Sequence, residues 1–204
     1  MRTAAEQTAY EGKLKAREDK EKDTGQKPGG SFEQSYNAQA AVATDTMRVV
    51  ATPLTQAAND KRQISPLLHP LGHLPEALGT VTQILADAGY YSAANVERCV
   101  AANVEPLIAT GRESPHLPWE ALFTEPVPLA DGADAVAQMK HRLKTRAGRA
   151  LYGLRKQTVE PVFGIIKAVM RFRQFLLRGL AAVRGEWSLV TMAWNIRRMA
   201  VLRR

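Results

Sequence analysis

The chain has 204 residues, 45% hydrophobic and 24% charged, which is enough for one full core or one core with a tail. No apolar run is long enough to span a bilayer, and the stretch from Met1 to Asp23 lacks the apolar centre of a secretory signal. Its single cysteine, Cys99, excludes a disulfide scaffold and any cysteine-based zinc site, so a cytoplasmic protein is expected. The net charge of +8 hides a steep asymmetry: +1 over residues 1–30, −7 over 31–139 and +14 over 140–204.

Residues 1–30 open with a helix-compatible charged run, Thr3 to about Lys22, and end in Thr24-Gly-Gln-Lys-Pro-Gly-Gly30, a linker by composition. A frayed helix or disorder is expected here, apart from any chemistry. From Phe32 to Val42 the residues Phe32, Gln34, Tyr36, Ala38 and Ala40 alternate on a period of two, as in a half-buried strand. A turn at Thr44-Asp45-Thr46 and a second strand from Met47 to Leu54 complete an antiparallel hairpin. Asn59-Asp60 reads as the N-cap of a helix over 61–68. Val81 to Ala86 is a short apolar strand, and Ser92 caps a helix from Ala93 to Ala102 with Val96 and Val100 on its apolar face. Another strand follows from Glu105 to Ala109. Strand, helix and strand in this order predict a parallel βαβ unit with a right-handed crossover.

Residues 111–139, with four prolines, Trp119 and Phe123, read as an irregular insertion. The rest is helical. Met139 to Leu154 and Val162 to Met170 are one long helix or two joined near Pro161. A last helix sets the apolar Trp187, Val190, Ala193, Trp194, Ile196 and Met199 against a basic face of Arg197, Arg198, Arg203 and Arg204. That apolar stripe is expected to be core.

Only two acids, Glu160 and Glu186, stand among the 16 cations of residues 140–204. A solvated helix face normally mixes signs to gain pairs one turn apart, so this block points to a polyanionic partner. The blander explanation is that arginine-rich helices are simply soluble.

Two acids stand out. Asp87 closes an apolar parallel strand, and ligands collect at the C-terminal ends of such strands; a plain role is to order the turn before Ser92. Glu160 lies inside Arg155-Lys-Gln-Thr-Val-Glu-Pro-Val-Phe-Gly-Ile-Ile-Lys167. It suits a structural ion pair with Arg155 or Lys156. It equally suits a carboxylate in a basic groove, holding a hard cation beside a phosphate.

Leu85-Ala-Asp-Ala-Gly-Tyr-Tyr91, followed by Tyr152-Gly-Leu and the run just quoted, resembles bacterial insertion-sequence transposases of the DDE class. Tyr36-Asn-Ala-Gln-Ala-Ala-Val42, Ala57-Ala-Asn-Asp60, Phe172-Arg-Gln-Phe175, Arg178-Gly-Leu180 and Gly185-Glu-Trp187 add to the resemblance, which runs from about Phe32 to Leu202. It implies a ribonuclease H-like α/β fold, a mixed sheet flanked by helices, in which two Asp and one Glu bind two Mg²⁺ ions. Asp87 matches the second Asp and Glu160 the Glu, so their carboxylates are expected to approach one another. Tyr152, Arg155, Lys156 and Lys167 resemble the signature around the Glu. Lys156 lies at the usual four-residue step and Arg155 at five. With Arg171, Arg173 and Arg178 they are the expected DNA contacts.

The resemblance also implies an absence. The family's first Asp stands on the first central strand in a motif close to Asp-Gly-Thr, which does not occur here. Asp19 and Asp23 lie in a polar run, Asp45 in a turn and Asp60 at a helix start; none matches the motif, and Asp60 is the first to test for the vacant role. The expectation is the C-terminal part of a catalytic domain, a decayed or truncated copy without that strand or the helices that bind transposon ends. Such a chain would bind transposon-end and target DNA, cut and join phosphodiesters only if intact, and is compatible with a homo-oligomer. The rival is a nucleic-acid-binding module without catalysis, using the basic C-terminal helices alone. A third reading is a non-functional remnant.

Overall fold

The structure, a computed structural model, describes residues 36–57, 59–111 and 124–203. The charged run, its linker, Phe32, Trp119 and Phe123 lie outside the described residues.

The expected hairpin forms in two pieces. β1 (Asn37–Ala38) pairs with β4 (Leu54–Thr55), and β2 (Ala41–Val42) pairs with β3 (Val49–Ala51), both antiparallel. The register shifts at Ala41/Val42, and Pro53 has no N–H to continue the ladder. Its carbonyl still accepts from the Gln39 N–H at 2.9 Å.

A 3₁₀ turn (Asp60–Arg62) leads into α1 (Ile64–Leu71), so the helix starts later than expected and Asn59 gives it no side-chain cap. β5 (Gln83–Ala86), α2 (Ala93–Ala101) and β6 (Glu105–Ile108) form the strand–helix–strand unit, with β5 and β6 parallel. Ser92 caps α2 by accepting from the Asn95 N–H at 3.1 Å. The buried face of α2 is Asn95, Val96 and Cys99, while Val100 is 50% exposed. A four-residue step overshoots one helical turn, and Cys99 rather than Val100 stays over the core.

α3 (Ala135–Lys144) begins inside the stretch read as irregular, where the Asp134 carboxylate accepts from the Ala137 N–H at 2.6 Å. α4 (Arg146–Ala168) then runs unbroken through Pro161. The break falls at Thr145 instead, whose backbone is extended and whose hydroxyl donates to the Arg142 carbonyl and accepts from the Gly148 N–H. A Cβ on Gly148 would lie 1.9 Å from the Arg142 carbonyl oxygen, so this crossing admits only glycine. α5 (Leu180–Leu202) closes the chain.

One core cluster joins the hairpin to the last two helices: Val49 and Leu54 pack on Val162, Ile166, Val183, Trp187 and Trp194. Another joins α1, α2, α3 and the parallel pair through Ile64, Ala86, Val96, Cys99, Ile108 and Met139. Among the described residues the strands form three two-stranded pieces rather than one continuous mixed sheet. No helix among them is long and apolar enough to cross a membrane. The expected core stripe of α5 is only partly core: Trp187 and Trp194 are buried, whereas Ile196 and Met199 are 56% and 44% exposed.

Candidate functional site

Asp87 leaves the C-terminal end of β5 in extended backbone and caps a 3₁₀ turn (Ala88–Tyr90), its Oδ1 accepting from the Gly89 N–H at 2.9 Å. The turn-ordering role is therefore real, and Asp87 is also exposed.

Asp60 reaches the same place from the other side. A Cβ on Gly89 would sit 3.0 Å from Asp87 Oδ1 and 3.3 Å from Asp60 Oδ2. A Cβ at this position would press on both carboxylates, and glycine leaves room for them. Asp60 Oδ1 accepts from Asn37 Nδ2 and Gln39 Nε2, each at 2.8 Å. Strand periodicity explains this: Asn37 and Gln39 are two apart and face Asp60, while Tyr36, Ala38 and Ala40 turn to the core. Asp60 thus orients towards strand amides instead of capping a helix.

Two buried amides lock the arrangement. Gln39, 4% exposed, donates to Asn37 and Asp60 and accepts from the Tyr90 hydroxyl, and its own carbonyl accepts from Trp187 Nε1 at 3.0 Å. Asn95 Nδ2 donates to the carbonyls of Lys61 and Tyr90, both at 2.7 Å, which ties the Asp60 turn to the Asp87 turn. Burial raises the Tyr90 phenol well above its ordinary value, and the charges of Asp60 and then Asp87 push it the same way. Tyr90 therefore stays a hydrogen-bond donor.

Glu160 lies on α4, exposed, with Oε1 3.8 Å from Arg155 Nη2; this is the ion pair its sequence setting suggested. Arg155 also stacks over the Tyr152 ring, 5.7 Å from its centre, and its buried Nε has no partner among the described residues. α4 packs against β5, the strand that Asp87 follows. Lys156 and Lys167 are exposed on α4. Beyond it, Arg171 (φ 60°, left-handed) stands three residues past the helix end, next to Phe172, which stacks on Trp187, and Arg171, Arg173 and Arg178 are exposed.

Asp60 and Asp87 each keep one carboxylate oxygen free of hydrogen bonds among the described residues. That donor set fits one hard cation, since Mg²⁺ is commonly held by one or two carboxylates with water and substrate phosphate completing its shell. Among the described residues no three His, Cys, Asp or Glu side chains gather as a metal site.

Sequence alone does not mark Asn37, Gln39, Tyr90 or Asn95 as site residues. The available signal was the polar alternation of Asn37 and Gln39 within an otherwise apolar strand.

The family model described as Transposase DDE domain matches residues 5–196 of the chain. No curated protein and no solved structure matches the chain.

Proposed function

Because the chain belongs to the transposase DDE domain family, we propose that it binds DNA, with the cations of its C-terminal third on the phosphates and Asp87 and Glu160 facing the phosphodiester. The placement of Asp87 supports this reading: it is exposed at the end of a parallel strand against which the basic helix α4 packs. In this reading the ribonuclease H-like arrangement is inherited, and the protein works in the cytoplasm at the nucleoid.

A bound divalent ion would supply Lewis-acid stabilisation of the phosphoryl oxygens and an activated water. Asp87 would hold it, with Glu160 or the neighbouring Asp60 as the second carboxylate. Asn37 and Gln39 fix the Asp60 carboxylate, and the Gly89 N–H fixes that of Asp87. Lys156, Lys167, Arg171, Arg173 and Arg178 neutralise backbone phosphates, while Tyr152 and Arg155 hold the Glu160 segment in place. Since no Asp-Gly-Thr strand occurs in the 204 residues, we expect binding without cutting. The rival without inherited chemistry, a module of basic helices alone, differs in leaving Asp87 and Glu160 no role at the DNA.

The test is duplex binding across a salt series, with nicking assayed in Mg²⁺. Each phosphate contact should steepen the log–log salt dependence by about 0.9. Replacing Lys167, Arg171 and Arg173 with Ala should flatten it for all sequences alike. Affinity that ignores salt, or no binding at low salt, overturns the DNA reading. Mg²⁺-dependent cleavage lost in both Asp87→Ala and Asp60→Ala would overturn the expectation of inactivity and give Asp60 the first acid's role. Mg²⁺ that tightens DNA binding by the wild type but not by Asp87→Ala or Glu160→Gln would set the rival aside.

A further inference from the structure

The segment between α4 and α5 holds two adjacent leucines out in solvent: Leu176 is 77% exposed and Leu177 50%. Their backbone is clamped. The Glu186 carboxylate of α5 accepts from the Leu176 N–H at 2.9 Å and from the Leu177 N–H at 3.1 Å. On one side Phe175 meets Tyr36, Phe172 and Trp187 edge-on. On the other, the Gly179 N–H donates to the Tyr36 hydroxyl at 2.8 Å. Single exposed leucines are ordinary on protein surfaces. Two in a row, on a backbone that a carboxylate and an aromatic anchor hold in place, form a fixed apolar tip.

The tip stands among cations. Arg171, Arg173 and Arg178 are all exposed. A chain spans at most about 3.6 Å per residue, so the Cα atoms of Arg173 and Arg178 lie within about 11 Å and 7 Å of that of Leu176. Glu186 is the one acid that follows Glu160 in the chain, and its carboxylate is engaged with the backbone of the tip. We propose that Leu176, with Leu177 beside it, is a wedge that enters a base step of duplex DNA from the minor groove and kinks it, while Arg173 and Arg178 hold the flanking phosphates. This wedge presupposes the DNA reading above and adds a kink to it. An apolar side chain inserted between base pairs unstacks them, and the bent duplex then meets more of the protein surface, which offsets that cost. Phosphate contacts alone would leave the two leucines without a partner, because an apolar group gains nothing beside a charged oxygen. Charge complementarity selects the occupant: a second copy of the chain would set the same unpaired arginines against these, whereas a duplex offers stacked bases between two rows of phosphates.

Binding to two short duplexes, one perfect and one with a central mismatch, tests it. A mismatched step is already partly unstacked and spares the cost of opening it, so the wild type should bind that duplex about tenfold more tightly. Energy transfer between dyes on the two ends of the perfect duplex should report a bend on binding. Leu176→Ser should cut the preference to about twofold or less and remove the bend, with the salt dependence unchanged. Leu176→Met, which keeps an apolar wedge, should retain both, and so should Leu189→Ser, at a leucine 62% exposed on α5. Arg178→Ala should weaken both duplexes alike and flatten the salt slope by about 0.9. Equal affinity for the two duplexes, or a preference that survives Leu176→Ser, overturns the wedge and leaves the DNA reading standing. Binding to neither duplex at low salt overturns the DNA reading and the wedge with it. Leu176-dependent binding to phosphatidylglycerol vesicles, without a preference between the duplexes, overturns the wedge in favour of a lipid surface.

Discussion

Asp60 and Asp87 face one another across Gly89, on two 3₁₀ turns that the Asn95 side chain holds together. Two like charges so close repel, and the protein opposes this with directed donors: Asn37 and Gln39 to one carboxylate, the Gly89 N–H to the other. The residues that hold the two turns together should therefore be sensitive to substitution.

Asn95 is fully buried, with both amide hydrogens on backbone carbonyls. Asn95→Leu keeps the branched shape but leaves the Lys61 and Tyr90 carbonyls unpaired, at a cost of about 1–3 kcal/mol. On the same helix, Val100→Ala removes more apolar volume yet should cost less than about 0.5 kcal/mol, because that side chain faces solvent. Urea unfolding of the two variants measures the contrast. Equal losses would mean that Asn95 is merely a packed residue.

Tyr90 links stability to alkaline pH. Its phenol pKa is raised in the folded protein, chiefly by burial and further by Asp60 and Asp87. Folded and unfolded chains therefore bind this proton equally below about pH 10, the ordinary phenol value. Above it the unfolded chain releases the proton first, and stability should fall by about 1.4 kcal/mol per pH unit until the folded phenol also ionises. Tyr90→Phe should be less stable at neutral pH, since the Gln39 side-chain oxygen loses its donor, but should lack this site's share of the alkaline decline. Unfolding midpoints measured from pH 9 to 11 would show the two slopes; identical slopes would refute the linkage.

Gly148 and Pro161 make a paired test of where α3 and α4 divide. Gly148→Ala drives a methyl group into the Arg142 carbonyl, a backbone atom that cannot rotate away, and should cost about 1–3 kcal/mol or more. Pro161→Ala returns an N–H to the middle of α4 and should stabilise the chain. Thermal melts of the two variants should therefore move in opposite directions.

The helical and strand periods made the βαβ unit, the Ser92 cap, the hairpin and the last helix legible, because each depends on neighbours in sequence. The break at Thr145 was hidden because it depends on a long-range fit: Pro161 is the stronger local signal, but Gly148 meets the preceding helix. Asp87 was legible from its strand end. Its neighbour Asp60 was legible only as an acid to test for the missing first position; its setting was not, since only the folded chain brings the amides of Asn37 and Gln39 to it. Several of these motifs hold structure: Phe172 stacks on Trp187, Phe175 meets both rings edge-on, and Glu186 accepts from the Leu176 and Leu177 N–H groups. Ile196 and Met199 obey helical periodicity as well as Trp187 does, and periodicity alone does not say which of them the rest of the chain covers.

The hairpin leans on α5 through backbone polar groups as well as through apolar packing. Trp187 Nε1 donates to the Gln39 carbonyl, Trp194 Nε1 to that of Met47, and Arg198 Nε to that of Thr46. Asn195 takes both groups of Val49, its Oδ1 accepting from the N–H and its Nδ2 donating to the carbonyl, as an adjoining strand would. These bonds join residues 146 to 152 positions apart. During synthesis the hairpin therefore leaves the ribosome long before its partner helix exists, with the edge at Val49 open to any extended segment nearby. Closing so long a loop must precede the contacts that reward it, which slows folding and prolongs that exposure. Once α5 docks, Asn195 occupies the edge at Val49, and that edge no longer offers a template for intermolecular strand pairing.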